Sequence, residues 1–302
     1  YVHSVFTSYP YLFFNAMKYD PENPHNENND EFILSKGHAA PILYAVLKRA
    51  GCIKEDINTL RQFKSPLEGH PIPSEEMKWI KVATGSLGQG LSMGVGMALA
   101  GKLSHRTYKT YVLLGDSELT EGSNYEALQL ASYYKLDNLL AIVDINGKGQ
   151  TRETLIAHDL DNHKKRFESF GWDVITIKGH NILEIVAALK KRKNNKPIII
   201  LAQTNKGNGV SFLENKVGWH GRALNGEQYK HALQQIPHKR FPSFTIQKPE
   251  KSITKKLSLK KINLTEYKRE EQISTREAYG NALVKFAKAD KSVLVLDAEV
   301  SS

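Results

Sequence analysis

Residues 115–150 read GDSELTEGSNYEALQLASYYKLDNLLAIVDINGKGQ, and the fold follows from how they alternate. The run Tyr111-Val-Leu-Leu-Gly115 is a short apolar strand closed by glycine. From Glu121 to Lys135, Tyr125, Leu128, Leu130, Ala131 and Tyr134 recur at helical spacing. Leu139 to Ile145 is apolar on both faces, which suits a strand covered on both sides of a parallel sheet. A strand–helix–strand unit of this kind crosses over right-handed and leaves both strand C-termini on one edge. Asp116 follows the first strand and Asn146 the second, thirty positions later. Two oxygen ligands therefore meet where open α/β sheets bind phosphorylated ligands.

The same alternation extends outward. Downstream, Trp172–Ile177 and Lys196–Ala202 read as strands flanking a helix over Asn181–Arg192, so the predicted class is a doubly wound, mostly parallel α/β sheet. Upstream, a turn-rich loop over Pro21–Asp30 leads to a helix from Ala39 to Ala50, with Pro41 in its first turn and Gly51 beyond its end. Lys36 and His38 stand just before it, where a phosphate would be welcome. The stretch from Ala83 to Leu103 is apolar and carries glycines at 85, 88, 90, 94, 96 and 101. Ser86, Gln89, Ser92 and the glycine density argue for a buried helix packed closely on another helix, against a membrane span. His70 lies in the rigid loop Gly69-His-Pro-Ile-Pro73, and Trp219-His220-Gly221 in a loop after the last strand.

The chain has 302 residues and a net charge of +10. Ten Lys and Arg fall between Lys239 and Arg269 against Glu250 and Glu266, so this segment alone holds +8 of that charge. Its prolines and lack of helical period read as a solvated interdomain linker. A nucleic-acid platform would interleave more aromatics than Phe241, Phe244 and Tyr267 supply, so no nucleic-acid partner is expected. One cysteine, Cys52, excludes an internal disulfide framework and fits a reducing compartment. Tyr1 opens the chain in place of Met, and the segment after it lacks the basic region and cleavage site of a signal peptide. An N-terminal piece is expected to be missing, and the location is read as cytoplasmic with no membrane partner. Beyond the linker, Thr275–Lys288 reads as a helix with Ala278, Leu283, Phe286 and Ala287 on its apolar face, followed by a strand over Val293–Asp297. The expected division is a main domain over 1–238, a linker over 239–270, and the start of a second α/β domain over 271–302.

One acid and one amide after neighbouring buried strands suit a hard divalent cation that completes its shell with phosphate oxygens and water. Gly115 and Gly147 let the backbone approach a diphosphate, and Glu121-Gly122 opens a helix toward it. An equally simple reading makes Asp116 a helix cap and Asn146 a turn residue. Spacing alone leaves both open.

The pattern GD-S-E-x-x-EG, followed after the crossover by Asn146, resembles the thiamine-diphosphate motif. The words Leu34-Ser-Lys-Gly-His-Ala-Ala-Pro41, Gly69-His-Pro71, Ala83-Thr-Gly-Ser-Leu-Gly-Gln-Gly90 and Trp219-His-Gly221 are similar, in order, to those of the transketolase family, most of all its animal members. The resemblance runs from about Leu12 to the end of the chain.

It implies that 1–238 is the diphosphate-binding domain and 271–302 the start of a pyrimidine-binding one. Asp116, Asn146 and the main-chain carbonyl of Lys148 would hold Mg²⁺, Ca²⁺ or Mn²⁺. The backbone at Gly115 and Ser117, with Lys206 and His220, would meet the diphosphate, while Gly85, Ser86 and Leu87 would border the thiamine rings. His38, His70 and His220 would serve proton transfers, and Glu121 the acidic contact between two cofactor sites of a homodimer. The implied reaction moves a two-carbon ketol unit from a ketose phosphate to an aldose phosphate.

Three departures stand out. The family has glycine where Ser117 stands, so a positive φ there would cost about 1 kcal/mol or more. An upstream Gly-His-Pro motif is absent from these residues. The family's activating glutamate, in the pyrimidine-binding domain across a dimer interface, is absent as well. The isolated chain is therefore expected to be inactive unless a complementary domain or subunit is supplied. The alternative is a truncated, catalytically silent paralogue that at most binds or interacts.

Overall fold

The computed structural model describes residues 8–191, 195–236, 244–250, 262–263 and 265–297 of the chain. They form two compact units, Tyr1–Ser252 and Ile253–Ser302.

The first unit is built on five parallel strands: β1 (Glu31–Leu34), β2 (Thr110–Gly115), β3 (Leu139–Ile145), β4 (Asp173–Lys178) and β5 (Ile198–Gln203), in the order β1-β2-β3-β5-β4. The doubly wound α/β class expected from the sequence is what forms. β3 lies at the centre, and all seven of its residues are buried. Because side chains alternate across a strand, Leu140 and Ile142 enter one core, with Leu43, Leu47, Leu189 and Ile200. Leu139, Ala141, Val143 and Ile145 enter the other, with Leu91, Val95, Leu128 and Phe167. Each large side chain so covered contributes about 1.5–3 kcal/mol.

The first core is covered by α1 (Ser8–Tyr11) and the helical turn that continues it, and by α2 (Ala40–Arg49) and α6 (Ile182–Lys190). The second is covered by α3 (Gln89–Leu103), α4 (Gly122–Tyr133) and α5 (Leu160–Ser169). α3 packs against α4, as expected of a glycine-rich buried helix, and at Gly94 it also approaches β2, where a Cβ would lie 2.4 Å from Val112 Cγ2. On α4, Leu128 and Ala131 are buried, while Leu130 and Tyr134 remain about half exposed. Two positions from Leu128 is half a turn around a helix, so Leu130 faces away from the sheet.

Besides the short α1, two helices lie outside the sequence expectations, α5 and α7 (Gly226–Gln235). Both carry readable caps: Asp159 accepts from Asn162 N at 3.0 Å, and Asn225 with Gln228 forms a capping box.

The basic segment read as a solvated linker lies partly outside the described residues. At 244–250 it is packed: Phe244 stacks on Phe14, Gln247 pairs with Lys18, and Lys248 Nζ lies 2.7 Å from Asp20 Oδ1. Ile246 joins the first core, and its burial explains why this part does not stay in solvent. The second unit contains α8 (Thr275–Ala289), N-capped by Ser274 toward Glu277 N at 3.1 Å and without a buried side chain. The expected strand at Val293–Asp297 does not form; these residues are irregular. A strand needs a partner edge for its backbone groups, and none pairs with it among the described residues. No helix among the described residues is long and apolar enough to cross a membrane.

Candidate functional site

The parallel strands end on one edge, and the residues that follow β1, β2, β3 and β5 line one cavity of about 300 Å³ there. Its walls include His38, His70, Gly85, Leu87, Gly115, Asp116, Ser117, Asn146, Lys148, Lys206 and His220. All but two of the site residues expected from the sequence are therefore brought together. Ser86 and Glu121 stand outside it, both exposed; Ser86 Oγ accepts from Gln89 Nε2 at 3.4 Å, and Glu121 precedes α4.

Asp116 leaves β2 and turns its carboxylate back onto the backbone. Oδ1 accepts from Ser117 N at 2.8 Å, and Oδ2 from Gly147 N at 2.6 Å. The second bond joins the loops after β2 and β3, which places Asp116 next to Asn146. Asp116 is thus a cap, as one simple reading held, and at the same time a cavity wall. Asn146 accepts from Lys148 N at Oδ1, 3.0 Å, and donates from Nδ2 to Asp144 Oδ2, 3.2 Å. Gly147 holds φ at +70°, and a Cβ there would lie 3.3 Å from the His158 ring. Ser117 is not among the positive-φ residues, so the strain anticipated for a serine at this position is absent. The short 3-10 turn Ser117–Thr120 supplies ordinary helical backbone.

Gly85 deepens the opposite wall. Its φ is +132°, and a Cβ would meet His70 Cδ2 at 2.7 Å. Gly37 is tied to it, since a Cβ at Gly37 would lie 2.8 Å from Gly85 N. The His38 and His220 rings stand 4.8 Å apart, and Lys206 Nζ lies 3.5 Å from His220 Nδ1 and 3.2 Å from the Gly149 carbonyl.

Two buried carboxylates, Glu118 in the wall and Asp144 behind it, had no role assigned from sequence. Glu118, 1% exposed, accepts from Ser35 Oγ at 2.5 Å, Gly88 N at 2.9 Å and Gly115 N at 3.1 Å. Asp144, 2% exposed, accepts from Lys36 Nζ at 2.6 Å and Thr204 Oγ1 at 2.5 Å. Lys36, expected to greet a phosphate, is thus turned onto a carboxylate. Both acids stand inside the quoted motifs, and their acidity within otherwise apolar or glycine-rich words was the available signal.

Charge sets the chemistry. Burial, then the nearby Asp144, push the Asp116 carboxyl up to about 6, against the pull of Lys36 and the two backbone amides. Burial first, then Lys36, His220, His70 and Lys206, holds His38 down to about 3, so it is neutral at pH 7. Burial, with Lys36 next, lowers Lys206; burial, with Lys206 next, lowers His220. At the acidic end Lys36 is paired with Asp144 while it pulls on Asp116, and at the other end Lys206 offers positive charge to an anion.

A divalent metal with a phosphorylated ligand fits this arrangement. The donors at the acidic end are hard oxygens, the carboxylate of Asp116 and the amide of Asn146, both at most 6% exposed. No group of three or more His, Cys, Asp and Glu is placed to hold a metal ion among the described residues, so a cation here needs oxygen from a main-chain carbonyl, a ligand or water.

Comparison with known proteins adds the family. The model of the family described as "Transketolase, thiamine diphosphate binding domain" matches residues 7–289. Human transketolase is 42% identical over 297 residues, covering 96% of this chain and 47% of that protein. One subunit of the apulose-4-phosphate transketolase of Phocaeicola vulgatus is 41% identical over 231 residues, 74% of this chain and 80% of that one. The crystal structure of transketolase from Campylobacter jejuni superposes with a TM-score of 0.68 at 37% identity, over 72% of this chain and 36% of that one. The chain spans about half the length of the human transketolase it matches.

Proposed function

This chain belongs to the transketolase family, in its thiamine diphosphate binding part, and from that premise we propose that it grips magnesium thiamine diphosphate for ketol transfer between sugar phosphates. The observation that carries the reading is the 2.6 Å bond from Gly147 N to Asp116 Oδ2, which brings the two oxygen donors together in a cavity that also holds Lys206 and three histidines.

In this reading Asp116, Asn146 and the Lys148 carbonyl hold Mg²⁺, with Ca²⁺ or Mn²⁺ as substitutes. Lys206, His220 and the backbone of Gly115 and Ser117 receive the diphosphate, and Gly85, Ser86 and Leu87 border the rings. When bound, the cofactor supplies the electron sink that lets a carbon–carbon bond beside a ketose carbonyl break. The chain's own residues orient and move protons. His38, held neutral at pH 7, can accept a hydrogen bond from a substrate hydroxyl, and His70 and His220 flank the same space for proton transfers. Glu121, exposed at the start of α4, is free to meet a second copy at a dimer interface. A cytoplasmic setting follows the same resemblance.

A split arrangement is a second reading, favoured by one finding. The Phocaeicola vulgatus relative is named as one subunit of its enzyme, and 80% of its length is matched. Here a separate chain would provide the pyrimidine-binding part that a homodimer provides otherwise.

Titration calorimetry of thiamine diphosphate with Mg²⁺ tests the grip. Binding is expected for the wild type and is expected to drop at least about tenfold for Asp116→Ala, the usual cost of losing a ligand-shell partner. Equal affinity in the two would refute the metal assignment. Adding xylulose 5-phosphate and ribose 5-phosphate then asks whether a complementary chain is needed. Turnover by the 302 residues alone would remove both the split reading and a silent one.

A further inference from the structure

Asp144 stands opposite Gly115 in the last pair of the ladder with β2, and opposite Ala202, one pair before the end, in the ladder with β5. Its carboxylate gathers groups from three strand ends: Lys36 after β1, Asn146 after its own strand and Thr204 after β5. We propose that Asp144 is a positioning residue, whose carboxylate fixes the Asn146 amide in the orientation that presents oxygen to a divalent cation. The inference rests on the metal reading above.

The argument is one of donors and acceptors. An ionised carboxylate only accepts, so the atom of Asn146 facing Asp144 Oδ2 must be Nδ2. That leaves Oδ1 for the other side. It accepts from Lys148 N with one lone pair and keeps a second for a cation. Lys36 completes the device. Paired with Asp144 at 2.6 Å, both side chains at most 6% exposed, it cancels the charge of the buried acid and leaves Asp116 as the net anion at the site. Outer partners of this kind fix the orientation of the ligands that touch a metal.

Asp144→Leu keeps the approximate volume and removes Oδ2, the acceptor that Lys36 Nζ and Asn146 Nδ2 share. Mn²⁺ binding in the presence of thiamine diphosphate, followed by electron paramagnetic resonance, is expected to weaken about 10–100-fold. The melting temperature is expected to fall as well, because Lys36 is left buried without its carboxylate. The double variant Lys36→Met/Asp144→Leu separates the two roles and keeps the test alive if the single variant unfolds. It is expected to regain the melting temperature while its Mn²⁺ affinity stays low.

Wild-type affinity in Asp144→Leu would overturn the inference. So would recovery of affinity together with melting temperature in the double variant, since a purely structural salt bridge would behave that way. Asp116→Ala runs alongside. If it loses Mn²⁺ while Asp144→Leu does not, only the positioning role fails; if Asp116→Ala also binds normally, the metal reading fails with it.

Discussion

Glu118 Oε1 accepts the amide of Gly88 at 2.9 Å. Through that bond the turn leading Gly85–Leu87 into α3 hangs from the turn that carries Asp116. The same carboxylate holds Ser35 Oγ and Gly115 N, so one buried side chain ties three walls of the cavity. Glu118→Ala would leave these donors buried without partners, at about 1–3 kcal/mol for each group that water cannot reach. Glu118→Gln keeps one acceptor and is expected to lose less. Urea unfolding of both variants measures this, and equal stability in Glu118→Ala and the wild type would exclude the clamp.

Gly85 permits no side chain. Its φ of +132° and the His70 ring 2.7 Å from a Cβ act together. Gly85→Ala is expected to cost about 1–3 kcal/mol of stability through backbone strain. It is also expected to weaken thiamine diphosphate binding, because the His70 side of the cavity must shift. Calorimetry showing wild-type affinity would mean that the wall at Gly85 does not touch the ligand.

Ser117 is accommodated. Without a positive φ to relieve, Ser117→Gly has no strain to release, and cofactor affinity is expected to stay within about twofold of wild type, well under 1.4 kcal/mol. Stability is expected to fall by about 0.5–1 kcal/mol from the added freedom of the unfolded chain. A large gain in affinity on introducing glycine would show that the loop is strained after all.

Acid should unfold the chain earlier than its carboxylates alone would dictate. An imidazole in the unfolded chain protonates near 6.5, whereas burial and neighbouring cations hold His38 down to about 3. Between those values the unfolded state binds the extra proton, so stability is full above about pH 6.5 and declines as pH falls toward 3. His163, His180 and His220 are lowered too, burial being the main cause in each. His38→Asn is expected to lose less stability than the wild type between pH 7 and pH 5, read from urea midpoints at the two values. An unchanged difference would mean that His38 is solvated and titrates normally.

How much of this was legible varied by residue. β3 was readable to its ends, since seven consecutive buried positions have one comfortable place, the middle of a covered sheet. β1 was not singled out, because four residues running into Ser35 and Lys36 carry no clear period. The strand expected at Val293–Asp297 failed for the opposite reason: a continuous apolar run marks a strand's composition and says nothing about whether a partner edge is present.

For the site, the order of residue types marked Asp116 and Asn146 as candidates on one edge, while Lys206 and the roles of the histidines came with the family resemblance. Strands that end on glycine, aspartate and asparagine must deliver those groups to one edge when every crossover has the same hand. Sequence alone thus determined the class of the sheet, the edge on which its strands deliver these groups, and the family. What only the tertiary structure decided is the pairing behind that edge: Lys36 with Asp144 across 108 positions, and Glu118 with Ser35 across 83. A buried acid must find donors, but which strand supplies them depends on the strand order, and local pattern does not encode that order.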